Sequence, residues 1–96
     1  MATYIVLASF TDQGVRNVND SVKRLDAFRE LAKSKGATVK DAYYTLGQYD
    51  ICVTVDAPDE MTATALSLSV AKLGNIRSQT MRAFSPAEMT SILAKV

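Results

Sequence analysis

The chain has 96 residues, 48% of them apolar, with 11 basic and 10 acidic side chains and a net charge of +1. That length suits one domain with one core, about two-thirds of the unfolded chain's surface being buried on folding. The scattered, nearly balanced charge gives no concentrated positive field for nucleic acid or an anionic membrane surface. No apolar run approaches the ~18 residues of a membrane span, and the lone Cys52 excludes an internal disulfide.

Met1 to Tyr4 has no basic n-region, so the N-terminus reads as a strand and not as a signal peptide. The expectation is a soluble, cytoplasmic protein. Histidine is absent. That removes Ser-His-Asp and Cys-His catalysis and histidine-ligated metals, and one cysteine cannot build a thiolate cage. No metal or cofactor is expected, and acid–base chemistry would rest on carboxylate, phenol or amine.

Thr3 to Phe10 is rich in β-branched and aromatic residues and predicts a central strand. Thr11 to Asn17 reads as a loop in which Gly14 permits a positive φ. Asn19, Asp20 and Ser21 are N-cap candidates for a helix with Val22, Leu25, Phe28 and Ala32 on its apolar stripe, ended by Gly36. Ala37 to Leu46 and Asp50 to Val55 predict a second and third strand, joined by a tight turn at Gly47-Gln48.

Pro58, Asp59 and Glu60 open a second helix that runs to about Leu73. Its predicted core side carries Ala65, Leu66, Ser69, Val70 and Leu73; Ala63, Thr64, Ser67 and Ala71 lie opposite. No charge intervenes between Glu60 and Lys72. Such a helix is either merely Ala/Ser/Thr-rich on its surface or buried on a second side by a partner chain, and the second reading is preferred. Gly74 ends it. Asn75 to Phe84 predicts a fourth strand with neither face fully apolar. Ser85, Pro86 and Glu88 then have the spacing of N-cap, N1 and N3 of a terminal helix.

The order β-α-β-β-α-β-α predicts an α+β, ferredoxin-like fold with an extra C-terminal helix. Its four-stranded antiparallel sheet should run 4-1-3-2, with two helices on one face. Those helices cannot cover the other face, so a homodimer or higher oligomer is expected, the chain being its own partner.

Thr3–Phe10, the turn Leu46-Gly47-Gln48-Tyr49-Asp50 and the tail Leu73–Phe84 together resemble the GYD-domain family of small bacterial and archaeal proteins, over nearly the whole chain. The motif that names the family is Gly-Tyr-Asp; here Gln48 stands between Gly47 and Tyr49-Asp50. The resemblance implies a dimeric α/β barrel, in which two ferredoxin-like units stack sheet to sheet. It implies a fold and not a reaction, since wider relatives include cofactor-independent monooxygenases, small isomerases and ligand-sensing domains.

Among the residues that could carry chemistry, Asp50 beside Tyr49 could serve as acid or base, or could fix the hairpin by accepting backbone N–H bonds. Tyr43 and Tyr44 point to opposite sheet faces, so one phenol reaches the second face. Arg77, Gln79 and Arg82 on strand four are its candidate partners, and an arginine there could fork an anionic group. A small organic ligand held by Tyr43, Tyr44, Arg77, Gln79 and Arg82 is one reading. A cofactor-independent enzyme using Asp50 and Tyr49 is the alternative. Cys52 reads as a strand residue, because no histidine can activate it.

Overall fold

A computed structural model describes every residue from Met1 to Val96. The elements run β1 (Ala2–Phe10), α1 (Asp12–Arg16), a 3₁₀ turn (Val18–Asp20), α2 (Ser21–Ser34), β2 (Thr38–Tyr44), β3 (Ile51–Ala57), α3 (Glu60–Ala71), β4 (Ile76–Ala83) and α4 (Pro86–Leu93). The strands form one antiparallel sheet in the order β2-β3-β1-β4. This is the ferredoxin-like arrangement expected from the element order, with α4 added at the end.

Alternation along the strands decides which face is covered. Tyr4 and Ala8 of β1, and Val53, Val55 and Ala57 of β3, are buried beneath α2 and α3. They join Ala32, Ala37, Ala63 and Leu66 in the core. Their neighbours Thr3, Ile5, Leu7, Cys52 and Thr54 point to the other face and are only partly shielded. No helix lies there. Leu66 is the one large side chain of the core that is fully buried. The core is thus built largely from small and medium residues, and it leaves space between the helices.

Five local expectations are corrected. Thr11–Asn17 is not a plain loop: the Thr11 hydroxyl caps α1 by accepting from the Gly14 N–H at 3.1 Å. Gly14 does not have a positive φ; only Gly36, Gly47 and Gly74 do. It is needed for closeness, since a Cβ there would lie 2.0 Å from the Asn75 carbonyl oxygen.

On α2, Val22 is 60% exposed and Ser21 is buried instead. Ser21 turns inward because its hydroxyl has a partner there, the Tyr44 phenol. α3 is rotated from the predicted orientation: Ala63 and Leu66 face the core while Ala65 is exposed. A nearly uniform apolar pattern gives a helix no sequence-level preference for one face. Finally, Asp59, and not Pro58, opens α3, its carboxylate accepting the Thr62 N–H at 2.7 Å.

Candidate functional site

The connection between β2 and β3 wraps over the end of the sheet. Gly47 takes φ +104 in it, a left-handed backbone conformation that glycine adopts without penalty. The Thr45 N–H donates to the Asp50 carbonyl at 2.8 Å, and the Thr45 hydroxyl donates to the Tyr49 carbonyl at 2.6 Å. The Asp50 N–H donates to the Ala8 carbonyl at 2.8 Å, and one Asp50 carboxylate oxygen accepts the Phe10 N–H at 2.9 Å. Asp50 therefore ties the start of β3 to the end of β1.

The sequence-predicted site residues fall in three places. Tyr43 stands on the uncovered face, opposite Cys52, and is exposed. Arg77 and Gln79 share that face on β4, but β2 and β4 are opposite edges of the sheet. Tyr49 bridges the gap instead, its phenol donating to Gln79 Oε1 at 2.9 Å. Tyr44 points the other way, towards the helices.

Arg82 is on the helix side of β4. Its guanidinium lies 5.8 Å from the Tyr4 ring centroid and 4.4 Å from that of Phe84. It donates to the Thr3 and Ala83 carbonyls and stands 3.5 Å from the Glu88 carboxylate. These contacts fasten the first turn of α4 to the sheet. Glu88 also accepts the Ser85 N–H at 2.9 Å, completing a capping box. That backbone bond first, then the Ser85 hydroxyl and the Arg82 charge, holds the Glu88 carboxyl below its ordinary value of 4.5.

Strand and helix spacing did not single out an apolar space inside the molecule. A slot of about 190 Å³ runs between α2, α3 and the sheet. Val6, Ala8 and Phe10 form its floor with Ile51, Val53 and Ile76, and Leu25, Phe28, Val70 and Leu73 form its walls. Its polar groups are few: Ser21, Tyr44, Arg24, Asn75 and three serines of α3 and β4. Ser21 Oγ and the Tyr44 phenol lie 2.9 Å apart. Arg24 Nη1 donates to the Asn17 carbonyl at 2.8 Å, whereas its Nη2 is buried without a partner. The signal for the slot was the run of small residues on α3, which keeps that wall thin. No group of three or more His, Cys, Asp or Glu side chains is placed to hold a metal ion.

Comparison with known proteins gives this architecture a family. The GYD domain model matches residues 4–93. The chain belongs to the GYD-domain family. It is 31% identical over 94 residues to a protein of Thermus thermophilus named glutamine synthetase and cystathionine beta-lyase binding protein, covering 97% of this chain and 99% of that one. Among solved structures, that of an FFRP protein superposes with a TM-score of 0.63 at 26% identity, over 88% of this chain and all (100%) of that one. A hypothetical protein from Pyrococcus horikoshii gives 0.56 at 22% identity, over 88% of this chain and 92% of its own. These likenesses agree with the ferredoxin-like fold of the chain. In this member of the family no helix is long and apolar enough to cross a membrane.

Proposed function

We propose that the chain is an interaction module: it assembles with itself through the uncovered sheet face and binds another protein on the surfaces that remain. The observation that carries this reading is the excess of exposed surface. The accessible area is 6428 Å², against about 5,400 Å² for a compact monomer of this mass. The excess is apolar in part. Met61 and Leu68 on α3 are 84% and 64% exposed, and Met89, Leu93 and Val96 line α4 and the tail beyond it. Patches of this kind on a small domain mark contact surfaces.

The Thermus relative's name makes a glutamine synthetase and a cystathionine β-lyase the first partners to try. Sedimentation of the free chain, followed by titration calorimetry against each enzyme, tests the reading. A dimer or larger closed assembly that binds either enzyme supports it. A monomer at tens of micromolar that binds neither removes it.

A second reading is favoured by one specific feature, the apolar slot with a few convergent polar groups, which is the usual form of a small-molecule site. The enzyme alternative has no such support. Asp50 is engaged by Phe10, Tyr49 by Gln79, and neither faces the slot.

A further inference from the structure

We propose that the slot between α2, α3 and the sheet binds a small apolar carboxylate, whose carboxylate group meets Arg24 and whose body fills the space between the helices. This rests on the small-molecule reading above and names the ligand class.

Arg24 lines the slot and brings a guanidinium cation to it. One terminal nitrogen is bonded to the Asn17 carbonyl. The other is buried and has no acceptor. No aspartate or glutamate lines the slot, so the charge is uncompensated there. A buried guanidinium nitrogen without a partner is costly, and an anion that satisfies it is bound by a charge-assisted bond.

One turn earlier on the same helix face, Ser21 Oγ meets the Tyr44 phenol at 2.9 Å. The pair has two hydroxyl hydrogens and uses one in its mutual bond. The other can be given to a ligand oxygen. A guanidinium nitrogen and one hydroxyl provide donors for the two oxygens of a carboxylate.

The remaining lining is mostly apolar: Val6, Phe28, Ile51, Val53 and Val70 dominate it, beside Asn75 and three serines, and suit the body of an apolar acid. An engineered apolar cavity of about 150 Å³ holds benzene. The slot's 190 Å³ accordingly suits a single ring with a short acidic arm, or an aliphatic acid of similar bulk.

Phenylacetate and its neutral isostere phenylacetamide are the probes, titrated into the whole chain with amide chemical shifts as the readout. Phenylacetate should saturate and shift the amides of Arg24, Tyr44 and Ile76. Phenylacetamide should bind about tenfold or more weakly, the factor expected for one bond to a charged group. Arg24→Gln should abolish that discrimination. Ser69→Leu, which fills the slot on a position whose hydroxyl only back-bonds its own helix, should abolish binding of both probes and raise the melting temperature. Equal binding of acid and amide, with Ser69→Leu still blocking both, overturns the carboxylate proposal and leaves an uncharged-ligand slot. Absence of saturable shifts in this region with either probe overturns the proposal and the small-molecule reading together.

Discussion

Two glycines and one carboxylate show how little at the residue scale is interchangeable. Gly14 is held against Asn75 by the Thr11 N–H bond to the Asn75 carbonyl at 3.1 Å, so α1 docks on the loop between α3 and β4. A methyl group at Gly14 would meet that carbonyl, which is backbone and cannot swing aside. Gly14→Ala should therefore cost about 2 kcal/mol or more. Gly47→Ala meets nothing within 4 Å, so it carries only the left-handed backbone penalty of about 1 kcal/mol. Urea denaturation of both variants checks the order, and a Gly47 variant less stable than the Gly14 variant would contradict it. Asp50→Ala removes a carboxylate bond to the Phe10 N–H and should cost about 2 kcal/mol, while Asp50→Asn, which keeps an acceptor, should cost less. If Asp50→Ala keeps full stability and instead loses ligand or partner binding, its role is the site and not the hairpin.

At the scale of the element, legibility followed the strength of the local signal. Ser85, Pro86 and Glu88 announced α4 because capping geometry is set by residues three apart, and the structure has both reciprocal bonds. The bond from the Ser85 N–H lowers the Glu88 carboxyl in the folded chain relative to its ordinary 4.5. The cap's contribution is therefore full above that value and is lost as pH falls through the lower, folded value. The Glu88 side chain is only partly shielded from solvent, so the effect should be seen as fraying of α4 and not as global unfolding. The Ser85 amide shift should titrate below pH 4.5, and Glu88→Gln should flatten the curve. The Asp59 carboxyl, lowered by the Thr62 backbone and side-chain bonds, should behave the same way at the start of α3. The rotation of α3 was not legible, because Ala, Ser and Thr around the whole helix leave its orientation to tertiary packing. α1 was missed for the opposite reason: a five-residue helix depends on one cap and on docking against Asn75, neither of which has a period. The slot was missed because it arises from what two distant helices fail to fill. Strand order and the pairing of faces were recoverable because alternation is local and the topology follows from element order.

Taken as a whole molecule, the chain is a slab, 48 × 31 × 18 Å, with a radius of gyration of 14.3 Å, against about 12.5 Å for a compact domain of this length. A thickness of 18 Å is that of one sheet and one helical layer. In the proposed assembly a second copy sits on the uncovered sheet face, and the size of that face sets what else must take part. Four strands about 4.8 Å apart and about seven residues long present roughly 450 Å². A stable interface needs about 800 Å² from each partner. The sheet face alone is too small, and α4, fastened by Arg82 but with Met89 and Leu93 half exposed, is the element able to supply the rest. The proposed assembly should then fail in two distinguishable ways. Leu7→Arg puts a charge at the middle of the sheet face, on a central strand paired with Cys52 and Gln79, and should give monomers at all accessible concentrations. Met89→Ser with Leu93→Ser leaves the sheet intact and should raise the dissociation constant by about tenfold or more, at about 25 cal/mol per Å² of lost apolar contact. Sedimentation equilibrium separates these outcomes. A Leu7→Arg chain that still assembles would move the interface away from the sheet, to the exposed apolar side of α3.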